Sequence, residues 1–318
     1  MNTSSAIDAP IPTGPDVRVL VVGGAGFIGS HLVDRLLAEQ HTVDVVDDLS
    51  TGSLANLATA RSMGGELKIH HLDAGAPEFP VLVSMREPEV IYHLGWAPPG
   101  RHDPATEARA VLSTLQVLEA ARAHDVRKVV TALPSTVLYG EVPSRELPVK
   151  EGRPWSPVGA TGVVAAAVAE LFAWYRARHD VEYSALALAN VYGPRQRADG
   201  GVVAAFAAAL EQGERAELHG DGRQARDFVF IDDVVDAFVR SATRGSGLVV
   251  NIGTGTLTSL RDLWSLMAGG APLPTSARPR EDDVTRLSLA PTRARIHLAW
   301  APWTELAEGL RSLRSWTN

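Results

Sequence analysis

Short apolar runs rich in β-branched residues alternate with amphipathic stretches along the first part of the chain. The apolar runs predict six strands, over residues 17–23, 42–47, 67–72, 90–94, 128–133 and 184–189. Apolar positions at helical spacing predict helices over residues 27–39, 104–124 and 159–179. Strands that alternate with helices in this way are typical of α/β proteins, in which helices cover both faces of a parallel sheet.

Beyond Asn190 the pattern is less regular, because loops rich in Gly, Pro, Asp and Arg separate helices predicted over residues 202–212 and 232–243. We therefore expect a sheet domain over residues 17–190 and a smaller, pocket-forming C-terminal lobe over residues 191–318, with the chain crossing between the two. Residues 1–16 lack the basic start and apolar core of a signal peptide, and we expect them to form a disordered leader.

The amino-acid composition excludes or disfavours several classes of binding partner and site. The chain has 318 residues and a net charge of −7, which argues against nucleic acid or an anionic membrane as a partner. It has no cysteine, which excludes disulfides and thiolate sites, and its histidines are scattered, so no metal site is predicted. The longest apolar stretches are too short or too interrupted to cross a bilayer. These features predict a soluble, cytoplasmic protein.

A glycine-rich turn follows the first predicted strand and leads into the first helix, with the sequence Gly23-Gly24-Ala25-Gly26-Phe27-Ile28-Gly29. In such a turn Gly23 permits the tight bend, Gly26 lets the backbone approach a pyrophosphate, and Gly29 allows the helix to pack closely on the strand. The amides of Phe27 and Ile28 lie at the helix N-terminus, which favours an anion. The turn predicts a Rossmann-type, doubly wound dinucleotide-binding fold.

Acidic residues follow the next two strands. Asp47 lies at the end of the second strand, where its carboxylate can accept both ribose hydroxyls and repel a 2′-phosphate, so NAD is favoured over NADP as the cofactor. Asp48 could take this role instead. Asp73, after the third strand, either meets the adenine amino group or is an ordinary turn residue. Leu94, at the end of the fourth strand, is predicted to contact the cofactor as well.

Several longer motifs occur in the expected order together with the glycine turn. Their combination resembles the extended short-chain dehydrogenase/reductases, and within them the NAD-dependent epimerase/dehydratase family and UDP-glucose 4-epimerase-like proteins. The motifs are Val46-Asp47-Asp48-Leu49-Ser50-Thr51-Gly52, Tyr92-His93-Leu94-Gly95, Asn190-Val191-Tyr192-Gly193-Pro194-Arg195-Gln196 and Gly220-Asp221-Gly222-Arg223-Gln224-Ala225-Arg226-Asp227-Phe228.

The resemblance implies a substrate site in the C-terminal lobe. In this family the nucleotide diphosphate of the substrate is held by an asparagine and by arginines, and the matching positions are Asn190, Arg226 and Arg278. A guanidinium suits this role because it pairs with phosphate through two parallel hydrogen bonds. Arg226 could instead pair with a neighbouring acid, and the candidates close in sequence are Asp227, Asp232 and Asp233.

The resemblance also implies a catalytic serine, which falls at Ser135 in Pro134-Ser135-Thr136-Val137-Leu138-Tyr139-Gly140. The tyrosine and lysine of the family's Tyr-x-x-x-Lys motif would fall at Val158 and Gly162, and an asparagine of the preceding helix at Ala110. Valine cannot transfer a proton and glycine has no side chain. Gly162 could provide space or a close backbone approach, and the gap could reflect either loss of function or a site enlarged for a bulky ligand. His102, in the loop after the fourth strand, is a weaker candidate acid.

Three functions remain open. The first is a ketoreductase that uses NAD(P)H on the carbonyl of a small molecule, for example an aromatic natural product, with the proton supplied by Ser135, water or a neighbouring hydroxyl of the substrate. The second is nucleotide-sugar epimerisation or dehydration, which begins by deprotonating an alcohol and needs a positioned base. The third is a catalytically inactive cofactor-binding protein. The family resemblance also implies a homodimer through the helices predicted over residues 104–124 and 159–179.

Overall fold

A computed structural model describes residues 17–95, 104–278 and 283–314. The strands are β1 (Arg18–Val22), β2 (Thr42–Asp47), β3 (Leu67–His71), β4 (Val90–His93), β5 (Lys128–Pro134), β6 (Tyr183–Leu188), β7 (Asn190–Tyr192), β8 (Glu217–His219), β9 (Ala225–Arg226), β10 (Phe228–Phe230), β11 (Leu248–Ile252), β12 (Thr258–Ser259), β13 (Thr275–Ala277) and β14 (Arg286–Leu287). The helices are α1 (Phe27–Ala38), α2 (Ala58–Ser62), α3 (Glu78–Arg86), α4 (Pro104–Ala123), α5 (Ser135–Tyr139), α6 (Gly159–His179), α7 (Val202–Gln212), α8 (Ile231–Ser241), α9 (Leu260–Ala268), α10 (Thr292–His297) and α11 (Leu306–Arg314).

Seven parallel strands form the central sheet in the order β11-β6-β5-β4-β1-β2-β3. The six predicted strands are all present, within one or two residues of their expected ends. The seventh strand, β11, was not predicted, and it extends the sheet by pairing Leu248 with Ser184 of β6. The helices that follow β1 and β4, which are α1 and α4, pack on opposite faces of the sheet, and this leaves a crevice outside the carboxyl ends of these two strands.

Helices cover both faces of this sheet, and each face has its own apolar core. One core contains Leu32 and Leu36 of α1 together with Phe238 of α8. The other contains Val117 of α4 and Phe172 of α6. A parallel sheet packed on both faces confirms the predicted doubly wound α/β fold.

Smaller sheets, β7 with β10, β8 with β13, and β9 with β12 and β14, lie outside the central sheet. The domain boundary at residue 190 stays a prediction, and β11 is a segment of the later half that joins the central sheet. Among the described residues, no helix combines the length and the apolar character that a membrane crossing requires.

Candidate dinucleotide-binding and active site

A cavity of about 330 Å³ lies at the carboxyl ends of strands β1 to β5. All the residues that the sequence predicts to contact a dinucleotide line this one cavity: Gly23, Gly26, Phe27, Ile28, Gly29, Asp47, Asp48, Asp73 and Leu94. The fold therefore brings together positions that are spread over more than seventy residues of sequence. Their individual roles in binding stay predictions.

The glycine turn adopts a backbone that side chains would disrupt. Gly23 has φ of +77°, a left-handed conformation that glycine adopts without steric cost. A Cβ on Gly29 would lie only 2.1 Å from the carbonyl oxygen of Gly23, so the first turn of α1 can pack on the strand end only because this residue is glycine. No side chain caps α1 at Gly26, which leaves first-turn amides facing the cavity.

The Asp47 carboxylate is buried at the end of β2 and accepts two backbone hydrogen bonds. Its Oδ2 accepts from the amide of Ala25 and its Oδ1 from the amide of Leu49, both at 2.8 Å. Burial raises the pKa of the Asp47 carboxyl above its ordinary value, although the amides of Leu49 and Ala25 act in the opposite direction. Each oxygen retains a lone pair that can accept a ribose hydroxyl.

Asp48 and Asp73 make local contacts beside the cavity. Asp48 Oδ1 accepts from the amide and the hydroxyl of Ser50, and its Oδ2 lies 3.6 Å from a guanidinium nitrogen of Arg109. Asp73 Oδ1 accepts from the amide of Gly75 at 2.8 Å. Both carboxylates remain on the cavity wall, so the predicted adenosine end is lined with negative charge. These residues fit NAD better than a cofactor with a 2′-phosphate.

The segment after β7 closes one side of the cavity, a feature that sequence reasoning did not assign. Arg195, Gln196 and Arg197 all line the cavity. Arg195 has φ of +65° and donates to Asp34 of α1 at 2.6 Å, which fastens the segment to the cofactor-binding helix. These residues belong to the quoted motif around Gly193-Pro194, so the signal was present without an assigned role.

Ser135, the predicted catalytic serine, is fully buried at the first position of α5. Its hydroxyl donates to the carbonyl oxygen of Leu188 at 2.6 Å, and Ser135 is not among the residues that line the cavity. A hydroxyl has one proton to donate, so in this arrangement Ser135 can only accept a hydrogen bond from a ligand. Its catalytic role stays a prediction.

The backbone occupies the place where the lysine side chain of the family motif would begin. A Cβ on Gly162 would lie 2.4 Å from the carbonyl oxygen of Val137, a distance at which the backbone must shift. Val158 precedes the first residue of α6, and its amide donates to the same Val137 oxygen at 2.8 Å. Of the two possibilities left open for Gly162, space or a close approach, the structure supports the close approach.

A further contact fixes the start of α6. Thr161 donates from Oγ1 to Glu107 Oε1 of α4 at 2.6 Å, and both side chains are buried. Together with the contacts at Val158 and Gly162, this hydrogen bond holds the first turn of α6 from two sides. The first turn of α6 is therefore packed closely against both α5 and α4.

Two nearby titratable side chains cannot take the place of the missing tyrosine. Tyr139 is fully buried and donates to Asn251, and burial raises the pKa of its phenol. His93 is buried beneath the cavity, and burial lowers the pKa of its imidazole to about 4, so it is neutral at physiological pH. Among the described residues that line the cavity there is no tyrosine, histidine or lysine.

The predicted phosphate-binding residues lie apart from the cavity. Arg226 is buried and donates to Asp283 Oδ1 at 2.6 Å, so its partner is Asp283 and none of the three acids close in sequence. Asn190 donates from Nδ2 to the carbonyl oxygen of Asp227 at 3.3 Å. Arg278 is exposed, with its carbonyl oxygen 3.1 Å from His219 Nδ1. Their roles in substrate binding stay predictions, as does that of His102, which lies outside the described residues.

The chain is similar to known proteins over most of its length. The model of the NAD dependent epimerase/dehydratase family matches residues 19–253. The chain is 42% identical over 308 residues to a UDP-glucose 4-epimerase of Mycolicibacterium smegmatis, with 92% of this chain and 96% of that protein covered.

Solved structures agree with this relationship. The crystal structure of UDP-glucose 4-epimerase from Thermotoga maritima with UDP-glucose matches with a TM-score of 0.87 and 31% identity, covering 94% of this chain and 99% of that one. The UDP-glucose 4-epimerase of Thermus thermophilus in complex with NAD matches with a TM-score of 0.86 and 31% identity, covering 93% and 97%. Both similarities extend over nearly the whole chain.

Proposed function

Because this chain belongs to the NAD dependent epimerase/dehydratase family, we propose that it binds NAD(H) and reduces the carbonyl of a small molecule without a base from α6. The observation that carries this proposal is the 2.4 Å separation between a Cβ on Gly162 and the Val137 oxygen. The chain has no lysine at that position, where a side chain would have to displace the Val137 backbone, and Val158 cannot transfer a proton. Chemistry that begins by deprotonating an alcohol therefore lacks its usual base.

Reduction makes smaller demands on the protein. When bound, the cofactor supplies the hydride, and the carbonyl oxygen must then gain one proton to give the alcohol. The chain contributes positioning, through Asp47 and the amides at the start of α1. The proton comes from water or from a hydroxyl of the substrate itself.

A substrate hydroxyl beside the carbonyl suits this site best. An ortho-hydroxy aromatic ketone carries its own hydrogen-bond donor, which stabilises the negative charge that develops on the carbonyl oxygen. We therefore propose an aromatic ketone of this kind as the substrate class. A hydrogen bond to a charged oxygen contributes about 1.5–3 kcal/mol, which corresponds to a rate difference of about tenfold or more.

The second candidate is 4-epimerisation of a UDP-hexose, and the names of the relatives favour it over the reductase. Two features of this chain count against it. The start of α6 lacks both the phenol and the ammonium of the family motif, and the Arg226 guanidinium is already paired with Asp283. An epimerase would have to recruit another base and release Arg226 toward the diphosphate.

One pair of assays separates the two candidates. NADH oxidation is followed by absorbance with 2′-hydroxyacetophenone, 4′-hydroxyacetophenone and acetophenone. In parallel, UDP-galactose is incubated with the protein and NAD⁺ and analysed for UDP-glucose. The reductase proposal predicts NADH consumption with a kcat/KM about tenfold higher for the 2′-hydroxy compound. Formation of UDP-glucose at an enzymatic rate, without net NADH consumption, would establish the epimerase instead. Stoichiometric NADH binding without turnover in either assay would support the inactive cofactor-binding protein.

Restoring the family motif provides a second test of the same proposal. We expect the double substitution Val158→Tyr with Gly162→Lys to lower turnover, because the lysine Cβ collides with the Val137 carbonyl and displaces the first turn of α6. The single change Val158→Tyr is the control, since it adds the phenol without that collision. A gain of epimerase activity in the double variant would contradict this expectation.

We also propose that two copies of the chain associate through α4 and α6. Val163 and Trp174 are 60% and 53% exposed and lie three turns apart on one face of α6, and Leu112 of the adjacent α4 is 47% exposed. Large apolar side chains on neighbouring helices are typical of an association surface.

A further inference from the structure

A second cavity, of about 240 Å³, lies at the opposite edge of the sheet, where β1 and β4 begin. It is bounded by the C-terminal ends of α1 and α8, and its apolar wall consists of Val17, Val19, Leu36, Val90, Val239 and Ala242. None of these residues lines the dinucleotide cavity. The function proposed above makes no use of this region.

Tyr92 lines this cavity, and its hydroxyl has no hydrogen-bond partner among the described residues. Tyr92 is 1% exposed, and its ring packs edge-on against Phe238 at a centroid distance of 6.5 Å. Burial raises the pKa of the Tyr92 phenol, with a further contribution from the charge of Glu39 on the cavity wall. The hydroxyl forms no hydrogen bond to another described residue, so it can donate to, or accept from, a molecule in the cavity.

A second polar atom at the cavity is also unsatisfied. The Nδ1 atom of His41 is buried and has no hydrogen-bond partner among the described residues, while its Nε2 lies 3.7 Å from Glu39 Oε2. The Tyr92 hydroxyl is a polar group on this wall that a bound molecule with a polar substituent, or ordered water, would contact.

The charge at the mouth of the cavity has a definite sign. Glu39 is paired with Arg35, and Arg240 donates to Asp236. Arg244 is exposed at the rim and its guanidinium makes one contact among the described residues, a hydrogen bond of 3.3 Å from Nη1 to the carbonyl oxygen of Leu298. Among the residues that the structure describes, the uncompensated charge at the mouth is therefore positive.

We propose that this cavity binds a small aromatic carboxylic acid that carries a ring hydroxyl. The ring packs among the valines, the carboxylate pairs with Arg244 at the mouth, and the hydroxyl reaches Tyr92 at the inner end. The volume suits this class, because a dry cavity of about 150 Å³ accommodates benzene, and 240 Å³ leaves room for two substituents. The site is independent of the dinucleotide cavity.

The test compares three compounds with the same ring, 4-hydroxybenzoate, 4-hydroxybenzyl alcohol and tyramine, by isothermal titration calorimetry of the full chain saturated with NADH. The proposal predicts a Kd below about 1 mM for 4-hydroxybenzoate and binding at least tenfold weaker for the alcohol and the amine. Equal binding of the three compounds, or none, would overturn it. Displacement of 4-hydroxybenzoate by NADH would also overturn it, because the compound would then occupy the dinucleotide cavity.

Two variants assign the contacts. Arg244→Gln should remove the preference for the carboxylate, whereas Arg261→Gln, at a surface arginine outside the cavity, should leave it unchanged.

Tyr92→Phe should weaken the binding of 4-hydroxybenzoate and leave the binding of benzoate unaffected. It should also leave Tm unchanged within about 2 °C, because the hydroxyl has no described partner, while Tyr139→Phe breaks a buried hydrogen bond and should lower Tm. A crystal structure with 4-hydroxybenzoate that contains only water at the Tyr92 hydroxyl would refute the proposal.

Discussion

The Asp47 carboxylate holds its own loop in place as well as facing the cavity. Its two oxygens accept the amides of Ala25 and Leu49, so the aspartate connects the glycine turn to the loop that follows β2. A residue of this kind sets both the shape of the site and its charge. The neighbouring Asp48, which contacts Ser50 and Arg109 but does not connect these two loops, provides the comparison for substitutions at Asp47.

Replacing Asp47→Asn should weaken NADH binding by about tenfold or more, because one charged hydrogen bond to ribose is lost. The preference for NADH over NADPH should decrease as well, since the repulsion of the 2′-phosphate is removed. Titration of cofactor fluorescence measures both affinities. Asp48→Asn is the matched control and should change NADH affinity by less than about threefold. A larger effect at Asp48 would identify it as the ribose-binding residue.

The buried Lys128, which lies outside the dinucleotide cavity, makes the free energy of unfolding depend on pH. Its side chain is buried at the start of β5 and donates to the carbonyl oxygen of Arg244 at 2.5 Å. Burial lowers the pKa of this ammonium from 10.5 to about 7, with Glu182 raising it and Arg176 lowering it further. Between these two pH values the unfolded chain binds more protons than the folded chain, so the free energy of unfolding rises with pH.

We expect Lys128→Met to remove this increase. Urea denaturation at pH 7, 8, 9 and 10 measures the free energy of unfolding of the wild type and of the variant. As the pH rises, the value for the wild type should increase steadily relative to that for the variant. Lys150→Met, at an exposed lysine, should track the wild type across the series. Parallel curves for wild type and Lys128→Met would mean that Lys128 keeps its ordinary pKa in the folded protein.

At the scale of elements, the start of α6 depends on a close approach between backbones. Alanine normally stabilises a helix by about 1 kcal/mol relative to glycine. At Gly162 the added methyl group would meet the Val137 carbonyl, and α5 and α6 would have to separate. Steric overlap of this kind in a packed interior typically costs about 1–3 kcal/mol.

Gly162→Ala should therefore lower the free energy of unfolding by about 1–2 kcal/mol, as measured by urea denaturation, in spite of the gain in helix propensity. Gly152→Ala is the control, because nothing lies within 4 Å of its added methyl group. That variant should be neutral or slightly stabilising. A stabilised Gly162→Ala variant would show that α6 can move away from α5 at little cost.

At the scale of the whole molecule, the proposed association of two chains predicts that negative charges introduced on α6 will dissociate the dimer. Trp174→Glu with Val163→Glu should convert a dimer to a monomer, because two carboxylates would be buried in an apolar contact. Sedimentation equilibrium over a range of protein concentrations measures the change. The exposed Ile296 of α10, changed to glutamate, is the control. A wild-type chain that remains monomeric at all concentrations would contradict the proposal.

The sequence predicted most of the large elements because their signals are local. The apolar runs gave six of the sheet strands, and the helix over Gly159–His179 has the predicted ends. β11 was missed because a five-residue apolar segment among irregular loops has no periodicity of its own. The pairing of Arg226 with Asp283 joins residues 57 positions apart, and the contact of Gly162 with Val137 depends on the packing of two helices, so neither could be inferred from local patterns.

The position of β11 bears on how the chain is made. β6 is buried along its whole length and pairs with β11 on its outer side, and β11 ends at Ile252. During synthesis on the ribosome, β6 emerges some sixty residues before β11, and until β11 follows, β6 is an uncovered apolar sheet edge. Nascent chains that pause in this interval are exposed to aggregation and to chaperone binding. A fragment that ends at residue 190 would retain this exposed edge permanently.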